Sequence, residues 1–264
     1  MERIGLNGRR RAKRSGWSAV IALAALFILG CAGGMPSIPD NPEDIIAKGD
    51  QYYQRKKYFP SQELFKAFLT RYAGHERSDY AQYMLGESYF HMEEYALAAV
   101  EFRVLVTNYG YSEYVDEGYF KEAMCNYNQA PKPHLDQTKA YEALSQFEQF
   151  VRVFPSSPMA PEAEKHIALI HEKLAAKEME NASFYYRKKW YASALIYIDK
   201  IIAEYPGNTH WVEAKYMKAR ILYLRGERFD EAASHLRDVI AYPAKLKIQR
   251  DAEILLRQLE KGAP

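Results

Sequence analysis

Residues 85–110 read LGESYFHMEEYALAAVEFRVLVTNYG, and the spacing within that stretch decides the fold. Gly86 and Tyr89 stand three apart on one helix face, and Ala98 and Phe102 stand four apart on a second. Asn108-Tyr109-Gly110 then breaks the chain. Small residues at Gly86 and Ala98 let two antiparallel helices approach closely, while Tyr89 and Phe102 fill the space beside that contact. Such a pair cannot bury its apolar surface alone, so neighbouring copies are expected.

They are present, at a period of about 34–38 residues. Upstream, Gly49, Tyr52, Ser61 and Phe65 take the equivalent places, and Phe68 and Tyr72 continue the apolar face. Downstream come Ala182, Tyr185, Ala194, Ile198 and Pro206, and then Tyr223, Ala232, Leu236 and Pro243. This is the tetratricopeptide pattern, with Gln82 where its Trp would stand. The expected fold is an all-α solenoid of antiparallel helix pairs, about five repeats over residues 44–260. Neither sustained period-2 alternation nor an Asn-Gly or Asp-Gly turn points to strands.

One copy departs from the spacing. Tyr119-Phe120 and Ala123 open a helix, but Ala143, Phe147, Phe150 and Pro155 arrive about nine residues late. The excess, Gln129-Ala-Pro-Lys-Pro-His134, reads as a loop inserted inside the repeat. After Pro158 and Pro161, residues 162–189 hold no breaker and predict one long helix.

The N-terminus has a separate logic. Arg3, Arg9, Arg10, Arg11, Lys13 and Arg14 precede an uncharged apolar run, Trp17 to Leu29, that is shorter than the roughly 20 residues needed to cross a bilayer. Residues 1–30 therefore read as a cleaved signal. Ile28-Leu29-Gly30-Cys31-Ala32 resembles the bacterial lipobox, with Leu29 bulkier than usual at its place. The resemblance implies diacylglycerol and an N-acyl chain on Cys31, and no other cofactor. Three acyl tails make such an anchor effectively permanent. Ala32, rather than Asp, after the cysteine implies sorting to the outer membrane's inner leaflet, facing the periplasm. Residues 31–43 contain Gly33, Gly34, Pro36, Pro39 and Pro42 and read as a flexible tether.

Composition excludes several functions. Six of the 36 basic side chains and one of the 34 acidic ones precede Cys31, so the mature chain is mildly acidic and a nucleic-acid partner is not expected. Cys125, on a helical segment, reads as a small buried residue. His166 and His171 lie five apart, about 140° around a helix, so they cannot pair on a metal as ligands four apart do. No metal site is expected. Glu93-Glu94, and Glu178 with Glu180, read as solvated surface charge. With no phosphate loop and no nucleophile elbow, the chain reads as no enzyme.

The tyrosines carry the binding hypothesis, because Tyr is amphipathic and suits protein interfaces. Tyr52, Tyr53, Tyr80, Tyr83 and Tyr119 fall on the first helices of repeats, which line the groove of tetratricopeptide arrays. They are candidates for a peptide groove, although packing between helices accounts for many such residues. At 184–194, aromatic and basic residues crowd a turn, and Tyr186, Arg187, Lys188 and Trp190 are candidates for docking a partner.

Together the lipobox, the repeat at Gly49, Asp136-Gln137-Thr138, Phe154-Pro155-Ser156-Ser157-Pro158 and the Tyr185-to-Trp190 turn resemble the BamD (YfiO) family of outer-membrane assembly lipoproteins. The resemblance implies a subunit of the β-barrel assembly (Bam) machinery, alongside other Bam lipoproteins. It implies C-terminal repeats docked on the barrel subunit BamA and N-terminal repeats that receive the C-terminal segments of unfolded outer-membrane proteins. Where family members carry an arginine that pairs with BamA, this chain has Ile196. The alternative is a tetratricopeptide lipoprotein of another envelope machine, a secretin pilotin or an envelope-division coordinator.

Overall fold

The computed structural model describes residues 36–244 and 246–262. The signal-like segment, Cys31 and the start of the tether lie outside them. The described residues form eleven α-helices and no strand. Five pairs follow in order: α1 (Pro42–Gln54) with α2 (Tyr58–Arg71), α3 (Ser78–His91) with α4 (Tyr95–Asn108), and α5 (Val115–Gln129) with α6 (Thr138–Val153). Then come α7 (Ala160–Arg187) with α8 (Tyr191–Glu204) and α9 (Thr209–Arg225) with α10 (Phe229–Ala241); α11 (Lys247–Glu260) packs on α10 and α9.

The close approach expected at Gly86 is present. A Cβ built there would lie 2.7 Å from the Phe102 ring, and one at Gly49 would lie 2.8 Å from Phe65. Both rings are fully buried, as are Phe68, Phe147 and Phe150. Ser61 adds a buried hydrogen bond, its hydroxyl donating to the Gly49 carbonyl at 3.0 Å. Cys125 is free and buried, and burial pushes its thiol up to about 12, which disfavours the nucleophilic thiolate.

Pairs close through one recurring turn. Lys56, Glu93 and Lys189 all have left-handed φ, at 57°, 62° and 60°. The next amide in each case donates to the carbonyl five residues back: Lys57 to Tyr52, Glu94 to Tyr89, Trp190 to Tyr185. This is the Schellman helix end, where Gly is the usual residue. The fifth pair does use Gly226, with φ 67° and the Glu227 amide bonded to the Leu222 carbonyl. The long helix runs Ala160–Arg187, two residues earlier at each end than the breaker-free run suggested. Its end moves because Lys189 is claimed by the turn.

The third pair lacks that turn. Residues 130–137 form the inserted loop, and the long helix holds it: Lys173 Nζ donates to the Ala130 carbonyl at 2.8 Å and Lys177 Nζ to the Leu135 carbonyl at 2.9 Å. Gln137 ties the loop to itself through the Lys132 and Leu135 carbonyls. Adjacent repeats are linked at their other edge. Ser112 Oγ donates to Asp79 at 2.6 Å, and Ser157 Oγ to Asp116 at 2.9 Å. Each carboxylate sits in the first turn of a first helix, where the helix dipole favours it.

Candidate functional site

The first helices of the N-terminal repeats meet along a row of tyrosines and charges. Tyr53 on α1 donates its hydroxyl to Glu87 Oε2 on α3 at 3.0 Å. Lys121 on α5 lies 2.7 Å from Glu87 Oε1, an ion pair whose angles fall short of a hydrogen bond. Lys121 also sits 4.8 Å from the Phe90 ring centroid. Glu87 is buried, so the first helices of three successive repeats share one carboxylate sheltered from water.

Tyr80 is anchored in the same manner, and Tyr83 by ring packing. Tyr80 donates to Asp50 at 2.6 Å, and burial raises the Asp50 carboxyl above its ordinary value. Tyr83 stacks on Tyr114 at 4.9 Å, and Tyr114 in turn packs on Tyr80 at 5.7 Å. Burial first, and the Glu87 charge second, hold the phenols of Tyr53 and Tyr83 above the usual range, so both remain donors at neutral pH. Tyr52 packs partly buried on the N-terminal core around Phe65 and Phe68, and Tyr119 packs against Phe154 at 5.3 Å. The structure thus joins Tyr80 and Tyr83 through Tyr114, ties Tyr53 to Glu87, and leaves Tyr52 and Tyr119 to packing. With the Tyr53 and Tyr80 hydroxyls held by carboxylates, what the row can offer a ligand is ring surface with fixed polar neighbours, a binding chemistry rather than a reactive one.

Glu87 and Lys121 were not legible as site residues. Their partners lie 34 residues apart in the chain, and only the stacking of repeats joins them. Glu178 corrects an expectation: it is buried on α7, and Lys200 Nζ donates to it at 2.6 Å. The α7 face that packs on α8 takes it inward, whereas Glu93, Glu94 and Glu180 are exposed as expected.

The C-terminal candidates divide at the turn. Trp190 is 58% exposed, and Arg187 and Lys188 are exposed with it. Tyr186 faces inward along α7, packed on Tyr191 and lying under the Arg220 guanidinium. Ile196 is 69% exposed on α8. His166 stacks on Phe147 and His171 lies by Tyr205, so the two histidines do not converge. Among the described residues there is no group of three or more metal-ligating side chains, and no helix is long and apolar enough to cross a membrane.

A model of the YfiO family, described as outer membrane lipoproteins, matches residues 39–235. The outer membrane protein assembly factor BamD of Rickettsia prowazekii is 27% identical over 202 residues, which cover 74% of this chain and 80% of its own. The BamD of Haemophilus influenzae is 24% identical over 218 residues, covering 75% and 80%. A TPR repeats protein from Bacteroides fragilis aligns with a TM-score of 0.48 at 11% identity, over 85% of this chain and 100% of its own. The match takes in all of the first four helix pairs and most of the fifth, and the chain belongs to the YfiO family of outer membrane lipoproteins.

Proposed function

We propose that this protein is a lipid-anchored scaffold of the outer membrane's β-barrel assembly machinery. The family match over residues 39–235, with relatives that are BamD assembly factors, carries the reading. In this reading Cys31 bears the lipid and the repeats face the periplasm from the inner leaflet. The C-terminal repeats dock BamA through the exposed turn at Arg187, Lys188 and Trp190. Exposed Ile196 replaces the family's arginine pairing with an apolar contact on the same surface.

The N-terminal row receives the extended, aromatic-ended C-terminal segments of unfolded outer-membrane proteins. Support comes from the anchored rings of Tyr53, Tyr80 and Tyr83, which are ordered before any ligand arrives and so lose little entropy on binding. No chemical step is required of the protein.

In-cell photocrosslinking tests the two halves separately. A crosslinker at Trp190 is expected to capture BamA, and one at Tyr53 or Tyr83 to capture barrel precursors. Recovery of a secretin without BamA would overturn the assignment. Loss of precursor adducts alone would sink only the groove. Cys31→Ser is expected to release the protein from outer-membrane fractions, and retention would rule out the lipid anchor.

A further inference from the structure

A cleft of about 330 Å³ opens between α9 and α11, lined by Tyr216, Arg220, Leu224, Asp251, Ile254 and Gln258. Four cations lie on α9, and three of them have acidic partners. Lys215 pairs with Asp238, Lys218 with Asp199 at 2.8 Å and Glu231 at 3.1 Å, and Arg225 with Glu227 at 2.8 Å. Arg220 has no carboxylate within ion-pairing distance among the described residues. Its guanidinium lies over two rings instead, 5.6 Å from the centroid of Tyr186 and 5.7 Å from that of Tyr216. Rings on its faces orient a guanidinium and leave its in-plane N–H donors free, the arrangement that suits a carboxylate.

The rim of the cleft is apolar on both sides. Leu224 is 54% exposed and Ile254 50% exposed, one on each helix flanking the cleft. Asp251, on the wall opposite Arg220, repels a ligand of many negative charges. A single acid set among aliphatic residues fits all three features.

We propose that this cleft is a docking site for a partner protein, receiving one Glu or Asp side chain from a segment whose flanking residues are aliphatic. The site goes beyond the barrel-assembly reading, and its test uses neither BamA nor a barrel precursor, so the two stand or fall separately.

The full-length protein in detergent is titrated with a labelled acetyl-Leu-Leu-Glu-Leu-Leu-amide peptide and with its Gln counterpart, followed by fluorescence anisotropy. The Glu peptide is expected to bind about tenfold more tightly at low salt. Arg220→Gln, at an exposed position, is expected to abolish that preference while leaving the circular dichroism and melting unchanged. Leu224→Ser is expected to weaken both peptides. Equal binding of the two peptides, or a preference that survives Arg220→Gln, overturns the proposal. So does displacement of the peptide by an equal concentration of acetate, which would mark a small-carboxylate site rather than a protein-docking one.

Discussion

Gly86 faces Phe102 within its own helix pair, and Glu87 faces Tyr53 and Lys121 on the neighbouring first helices. Two consecutive residues of α3 thus hold together different parts of the array. Replacing Gly86 by Ala would put a methyl group 2.7 Å from a ring that is fully buried and cannot swing aside. We expect Gly86→Ala to lose about 1–3 kcal/mol in urea unfolding, while Gly110→Ala, with open space around it, changes little. Glu87→Gln keeps an acceptor for Tyr53 but leaves the Lys121 ammonium without its counter-charge. Its expected cost is roughly 1–3 kcal/mol, and Lys121→Met in the same chain should recover part of it. Additive losses in that double mutant would mean the pair does not interact.

At the scale of the element, the turns carry strain that their residue types do not relieve. Lys56, Glu93 and Lys189 occupy the left-handed position that Gly226 fills in the fifth pair. Lys56→Gly and Lys189→Gly are expected to stabilise the protein by about 0.5–1 kcal/mol each, read as a higher melting temperature; unchanged or lower values would contradict the strain. The inserted loop is held by two ammonium groups reaching across from α7. Lys173→Met with Lys177→Met should speed proteolytic cleavage within 130–137 while the melting temperature falls only slightly, because no apolar core is lost. Cleavage at the original rate would show that Gln137 alone holds the loop.

Across the whole molecule, three histidines set the response to acid. Burial lowers His166 and His235, the latter helped by Lys218 and Lys215. His210 is raised, first by its hydrogen bond to Glu213. A lowered histidine contributes stability above its unfolded value of about 6.5 and loses it as pH falls through the folded value. The raised one contributes below about 6.5 and loses its share as pH climbs. The two lowered histidines should therefore pull the urea midpoint down between pH 7.5 and 5.5, with His210 opposing them. In the double variant His166→Gln, His235→Asn that fall should vanish or reverse. A midpoint that rises on acidification of the unmodified protein would refute the assignment.

The sequence by itself determined the helix pairs, their order, the inserted loop and the long seventh helix. Each follows from local spacing and from breakers such as Pro131, Pro133 and Pro155, which act within a few residues. Phe102 opposite Gly86 was legible for the same reason: a small residue and a ring at fixed offsets leave one way to pack. Only the tertiary structure decided which polar groups meet. Glu87 joins Tyr53 and Lys121, Glu178 turns inward to Lys200, and Arg220 is left without an acid among the described residues. Those outcomes depend on the rotation of one repeat against the next. Burial sets that rotation across distances of about thirty residues, which no short pattern of residue types records.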